Sequence, residues 1–324
     1  MLRKSMSVPD VTNPRGGRFA SLALRVAAVL LLFPSPSKGA AVPLAGAGQF
    51  AVFHLGCGTG SDAIGDLTVN TGTVVGDVGI GGGPSLGAEP HGFGKFQKGS
   101  IDGRLVVDQN AAFDVVSKNF TLTGGAVSGQ DLRSAVDDAI AAQVSAAALG
   151  GTALGNFTGG GLAAGVYQAA SFDLNKTTLT ITGGASDRFI LNISGEFDFH
   201  QSQIVLQGGI TANNVLFNVL GPGDPVTVGH GKSVFLGDLL AVDRSIIVSE
   251  LGVDSAPGAG PGNPGFGGRI IGGLCMDLIV HSGAQVTGPA ECPPGDLSCC
   301  DPATDISCCC NSTEECHPGI PFCG

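Results

Sequence analysis

Tryptophan is absent from this chain, and Tyr167 is its single tyrosine. Large rigid aromatics anchor sugar rings and protein hot spots, so an aromatic-lined cleft or interface is poorly supplied. Basic residues are scarce too. The formal charge is −11, from 16 Lys and Arg against 27 Asp and Glu. Residues 1–41 hold six of the basic residues and one of the acidic ones, which leaves ten against 26. A chain near −16 lacks the cation excess that phosphate backbones and anionic membranes attract. Nucleic acid and anionic membrane surfaces are therefore set aside as partners.

Long apolar runs are missing as well. A bilayer takes about 20 consecutive apolar residues. The run Val26-Ala-Ala-Val-Leu-Leu-Leu-Phe33 has eight. It follows Arg15, Arg18 and Arg25 and precedes Pro34, Pro36 and small residues, the order of a secretory leader over 1–41. Cleavage after Ala41 would leave Gly39 and Ala41 at the small-residue positions. The expected product is exported, soluble and extracellular or cell-surface associated, with no membrane insertion after cleavage.

Glycine is abundant: 54 residues, without the triplet period of collagen. It disfavours helix interiors and serves tight turns. Between the glycines lie short β-branched and Phe-rich runs: residues 178–182, 189–193, 203–206, 214–219, 245–248 and 277–280. Upstream, 50–53, 67–69, 74–75, 78–80, 101–107 and 120–123 follow the same pattern, while 91–98 reads as an exposed loop or cap. Recurrence every 8–12 residues or so predicts a mainly β architecture.

One segment departs from that pattern. Ser128-Gly-Gln-Asp131 has capping-box spacing, and Leu132, Val136, Ile140 and Val144 recur every fourth residue among alanines until Gly150-Gly151. This predicts a helix over about 129–149, long enough to lie along a stack of roughly six strands. Residues 254–268, rich in Pro and Gly, read as an insertion loop.

The pieces Gly161-Gly-Leu-x-x-Gly-Val-Tyr167, Arg188-Phe-Ile-Leu-Asn-Ile193, Asn214-Val-Leu-Phe-Asn-Val219 and Ser282-Gly-Ala-Gln-Val-Thr-Gly288 occur in that order after the helix. Together they resemble the ice-binding-protein-like β-solenoid family of secreted microbial proteins, over roughly 49–289. The resemblance implies a right-handed β-helix with three faces and the long helix packed alongside, here over 42–289. Many relatives look like cell-surface or matrix proteins.

Eight of the ten cysteines crowd into 290–324: Cys292, Cys299, Cys300, Cys308, Cys309, Cys310, Cys316 and Cys323. An even number in a short exported segment reads as a disulfide-stapled module. Metal binding competes, but paired Cys-x-x-Cys spacings are lacking and only His317 is near. Cys57 and Cys275 remain and could bridge the two ends of the solenoid. No metal or cofactor is expected.

Catalytic groupings are weak. Gly229-His-Gly231 occurs in pectin-cleaving β-helix hydrolases, yet their Asn-x-Asp, Asp-Asp and Arg-x-Lys companions are missing, and no carboxylate pair can be named. A turn between strands is the plainer reading of His230. Gly231-Lys-Ser233 lacks the earlier Gly of a P-loop. Asp62, Asp66 and Asp77 read as turn caps. Sequons begin at Asn119, Asn156, Asn175, Asn192 and Asn311.

Threonines alternate at Thr71/Thr73, Thr121/Thr123 and Thr178/Thr180/Thr182, which would put each set on one strand face. These are the candidate surface-binding residues. Asp198, His200 and Lys232 would roughen any face they shared. The leading expectation is a non-enzymatic scaffold that binds an extracellular surface, polysaccharide or matrix. Ice binding through the Thr faces is the alternative, and a polysaccharide-active enzyme comes last.

Overall fold

The structure is a computed structural model that describes residues 42–57, 65–84, 92–231, 233–251 and 265–288. The expected leader, the Cys-rich module with its eight cysteines, and residues 254–264 of the insertion lie outside the described residues. So do Asp62, Lys232 and Asn311. Within the described residues the chain is mainly β, with one α-helix, Arg133–Ala148. Their strands pair in parallel, in three ladders.

The first ladder lies under the helix. It runs from Ala126–Gln130 through Leu105–Asp108, Val78–Ile80 and Val52–Gly56 to Ile270–Leu274. It continues through Asp238–Ala241, Val215–Val219 and Phe189–Ile193 to Gly165–Asn175 and Thr152–Phe157. The first described strand therefore sits mid-stack, with Val52 opposite Ile270, and Leu67 of the next strand lies opposite Leu278. A disulfide between Cys57 and Cys275 locks this junction, their Cα atoms 4.3 Å apart.

Parallel strands need both faces covered, and these are apolar on both. Inside, phenylalanines supply the bulk that tryptophan would otherwise give. Phe172 stacks on Phe197 at 4.8 Å, Phe217 tilts against Phe235 at 4.8 Å, and Phe235 stacks on Phe266 at 4.7 Å. Outside, Phe53, Ile271, Leu240, Leu216, Ile190 and Val166 meet the helix through Ala135, Val136, Ala139, Ala142 and Ala146. Small helix side chains let the backbones approach closely.

The helix differs from its sequence reading in two respects. Ser128 belongs to a strand, so no capping box forms. Asp108 instead accepts from the Leu132 amide at 2.8 Å, and Asp131 accepts from the Arg133 amide at 3.1 Å. The fourfold spacing also misplaced the apolar stripe. At about 100° per residue a step of four drifts by roughly 40°, so Val144 is carried away from the face that Leu132 begins. Val144 is 63% exposed, and the alanines make the buried face.

Two further expectations are corrected. Residues 92–98 are not a loop: Gly92–Asp102 is a strand with alternating burial, disguised because Gly92 and Gly94 fill inward positions. A Cβ on Gly94 would press into Ile80, so glycine there reflects lack of room. The insertion ends before Phe266–Gly267, which pairs with Phe235–Leu236 and Gln285–Thr287.

An Asp–Arg clasp is used twice on the helix side. Arg269 donates from its backbone and its guanidinium to Asp238, at 2.9 and 3.0 Å, and from Nε to Gly48 O at 2.7 Å. Arg104 repeats this arrangement on Asp77, at 2.7 Å from its backbone and 2.8 Å from Nε. Asp77 thus ties the start of Val78–Ile80 to the start of Leu105–Asp108.

Candidate functional site

The second ladder carries charge on its outward positions. It joins Ala111–Val115, residues 92–96 and 66–70, Leu278–His281, Ile246–Ser249, Val226–Gly229, Phe197–His200 and residues 172–175. Asp114 stands opposite Lys95, and Asp173 opposite Asp198. His200 Nε2 lies 2.5 Å from Asp198 Oδ1, and its ring centroid is 4.5 Å from that of His230. Burial raises the Asp198 pKa; Asp173 and Glu196 push the same way, against His200 and His230. Asp173 and Asp198 are thus a carboxylate pair that sequence reasoning did not name. His230, at φ 58°, sits in the turn that follows its strand. Among the described residues no group of three His, Cys, Asp or Glu could hold a metal ion.

A corner separates this ladder from the third. Lys176, Gln201, His230, Glu250, Ser282 and Thr71 each follow a strand of the charged ladder, and each has φ between 46° and 62°. Left-handed backbone disfavours residues with a Cβ by about 1–2 kcal/mol, so the bend is imposed by the pairing on either side. Thr71 belongs to this corner. Its hydroxyl donates to Asn70 O at 2.5 Å and accepts from the Ser282 amide at 3.1 Å. The expected alternation of Thr71 with Thr73 on one strand face is therefore corrected: the chain bends between them.

The third ladder gathers the remaining candidate threonines. From one end it joins Phe120–Leu122, residues 99–102 and 73–75, Gln285–Thr287, Phe266–Gly267 and Phe235–Leu236. Val234 bridges to Gln203, and Gln203–Gln207, Thr178–Thr182 and Gly160–Ala163 complete it. Leu122, Ile101, Val74, Val286, Phe266, Phe235, Ile204, Leu179 and Ile181 face inward and pack with the core.

The outward positions fall into two rows. In one, Thr121, Ser100, Thr73 and Gln285 are register neighbours, and Gln203 and Thr178 are neighbours beyond the Val234 bridge. In the other, Asp102, Val75, Thr287, Gly267 and Leu236 follow in register, with Thr123 before them and Val205 and Thr180 beyond. Thr182 lies opposite Gln207 and Ala163. Side chains link along the rows: Ser100 Oγ donates to Thr73 Oγ1 at 3.4 Å, and Gln203 Nε2 to Thr178 Oγ1 at 3.0 Å. Thr73, Thr121, Thr123, Thr178, Thr180 and Thr182 thus share one ladder.

Sequence reasoning missed Ser100, Gln203, Gln207, Gln285 and Thr287. The available signal was their alternation with inward Ile101, Ile204 and Val286, which a search for Thr-x-Thr alone passes over. Asp198 and His200, expected to roughen the Thr face if they shared it, belong to the charged ladder.

Comparison with solved structures gives the fold. A glycosylated ice-binding protein from an Arctic yeast matches with a TM-score of 0.51 and 18% identity, over 80% of this chain and 99% of that one. An ice-binding protein from the Antarctic ascomycete Antarctomyces psychrotrophicus is 21% identical over 78% of this chain and 100% of that one, with a TM-score of 0.48. No curated protein matches. The model of the ice-binding-like family fits residues 60–253. This overturns the leading expectation of adhesion or of matrix and polysaccharide binding, because the matching family is that of the alternative. A match over more than half of its length establishes that this chain belongs to the ice-binding-like family.

Proposed function

We propose that the third ladder is an ice-binding face, carried without turnover on a right-handed β-solenoid whose first ladder is covered by the helix. The observation that carries this reading is the gathering of Thr73, Thr121, Thr123, Thr178, Thr180 and Thr182 on one ladder with almost no charge. Parallel strands repeat at about 4.7–4.9 Å, so short side chains on them form a regular lattice. Threonine offers a methyl that water does not wet and a hydroxyl that both donates and accepts. Such an array can hold first-layer water in an ice-like arrangement that a growing crystal adopts.

The other two ladders fit this role less well. The helix covers the first, and the second carries Asp66, Lys95, Asp114, Asp173 and Asp198, whose tightly held hydration opposes a lattice of neutral water. The leader at 1–41 directs export, the 42–289 region forms the solenoid, and the 290–324 module is stapled by disulfides of its own. Among the described residues no helix is long and apolar enough to cross a membrane.

Ice-affinity partitioning tests the reading. Oxidised, leader-free protein should concentrate in a slowly growing ice hemisphere, and heat-denatured protein should stay in the liquid. Equal exclusion of both would overturn it.

A further inference from the structure

Asp102 is the one charged residue in the described segments of the third ladder, whose other outward positions are Thr, Ser, Gln, Val, Leu, Ala and Gly. It is exposed and lies in register with Val75, inside the row that continues to Thr287. Above it, the Thr123 hydroxyl donates to Asp102 Oδ1 at 2.8 Å, which uses the only hydrogen that hydroxyl has. Its neighbours in the other row, Ser100 and Thr121, are neutral hydroxyls in register with one another and with Thr73.

We propose that Asp102 sets the ice affinity of this face by interrupting one of its two rows, so that the Thr123 hydroxyl is cut off from Val75 and Thr287 while the row of Thr121, Ser100 and Thr73 beside it runs on. This rests on the ice-binding reading of the ladder. An ionised carboxylate only accepts hydrogen bonds, and it orients its water shell with every near hydrogen pointing inward. A lattice of neutral water needs donors and acceptors in alternation. Contact at Asp102 therefore requires stripping a charge whose one side-chain partner among the described residues is the Thr123 hydroxyl, and poorly paired charges resist desolvation strongly. The fold does not need the charge there: the Arg104 beside it is clasped by Asp77, on the helix side. Thr123 would stay fixed through its own backbone amide, which donates to Ile101 O at 3.1 Å.

The test compares recrystallisation inhibition by the parent, Asp102→Asn, Asp102→Thr and Asp102→Lys, with Thr180→Tyr as the variant that reports on the ladder itself. Asn keeps an acceptor for Thr123 and removes only the charge; Thr restores the methyl and hydroxyl. Both should act at severalfold lower concentration than the parent, Lys should give no gain, and all should melt within a few degrees of the parent. If Thr180→Tyr is weakened while Asn and Thr match the parent or fall below it, the inference fails and the ladder stands. If the parent is inactive and the Asn and Thr variants are inactive too, both fail.

Discussion

Asn218 donates from Nδ2 to the side-chain oxygen of Asn192 at 2.7 Å, between neighbouring strands and beneath the helix. The chain of bonds goes on into the helix. Asn192 Nδ2 donates to Ala146 O at 2.8 Å, Asn218 Nδ2 to Gln143 O at 3.1 Å, and Gln143 Nε2 to Val219 O at 3.0 Å. Ala146 is in the last helical turn, where carbonyls have no partner within the helix. Buried amides thus fasten an alanine-faced helix that has few large side chains to hold it.

Replacing Asn192 by Ala leaves the Ala146 carbonyl with only the Leu149 amide, at 3.2 Å, and leaves one buried Asn218 N–H without its partner. A loss of about 2–3 kcal/mol is expected in urea unfolding. Asn192→Asp should cost at least as much, because it offers no donor to the carbonyl. A change under half a kilocalorie in the Ala variant would contradict this account. The same burial means that the sequon at Asn192 cannot carry a glycan in the folded protein.

The disulfide between Cys57 and Cys275 closes a loop with a sequence separation of 218 residues. In the chain-entropy picture, closure of so long a loop contributes about 5 kcal/mol, and delivered values are often smaller. The double Ser variant should therefore unfold at clearly lower urea concentration than the oxidised parent. The reduced parent should match the variant. Coinciding curves for oxidised parent and variant would show that the junction gains nothing from the bond.

His54 is fully buried beside that junction, its Nε2 3.0 Å from Met276 O. Desolvation lowers its pKa from 6.5 to about 4, against the opposing effects of the Met276 bond and the Asp277 charge. Below pH 6.5 the unfolded chain takes up a proton that the folded chain refuses. The stabilisation is thus whole above pH 6.5 and drains as pH falls toward about 4, by at most about 1.4 kcal/mol per unit. Urea midpoints of the parent and His54→Gln at pH 7 and pH 4.5 check this. The drop should be shallower in the variant; equal drops would rule His54 out as the source.

Arg269 and Asp238 form an ion pair with both side chains under a tenth exposed. Arg269→Met strands the carboxylate and frees the Gly48 carbonyl, and about 3–5 kcal/mol should be lost. Pairing it with Asp238→Leu should recover much of that loss. An additive double variant would contradict the coupling.

Much of this architecture is legible in the sequence because strands that bury one side must alternate. Gln203-Ile-Val-Leu-Gln207 and Gln285-Val-Thr287 show their outward residues directly, and Thr178–Thr182 falls where the alternation placed it. Gly92–Asp102 was hidden because glycine at an inward position carries no hydrophobic signal. Local pattern also gives no register. That Thr121 lies beside Ser100, and Ser100 beside Thr73, depends on how far the chain runs between paired strands, and the corner at Thr71 shifts the pairing there. The choice between an adhesive role and an ice-binding one likewise lay beyond pattern. The family match overturned the adhesive expectation, and the proposed ice-binding face rests on which threonines share a ladder.

The most direct test of the central claim is recrystallisation inhibition by Thr180→Tyr beside Thr227→Tyr, each folded and equally stable. Thr180 lies outward on the third ladder, and Thr227 lies outward on the charged one, opposite Asp198. A tyrosine ring adds similar bulk to either face. The account predicts that Thr180→Tyr loses most of its activity and that Thr227→Tyr keeps the parent's. Equal loss in both, or loss only in Thr227→Tyr, would contradict it.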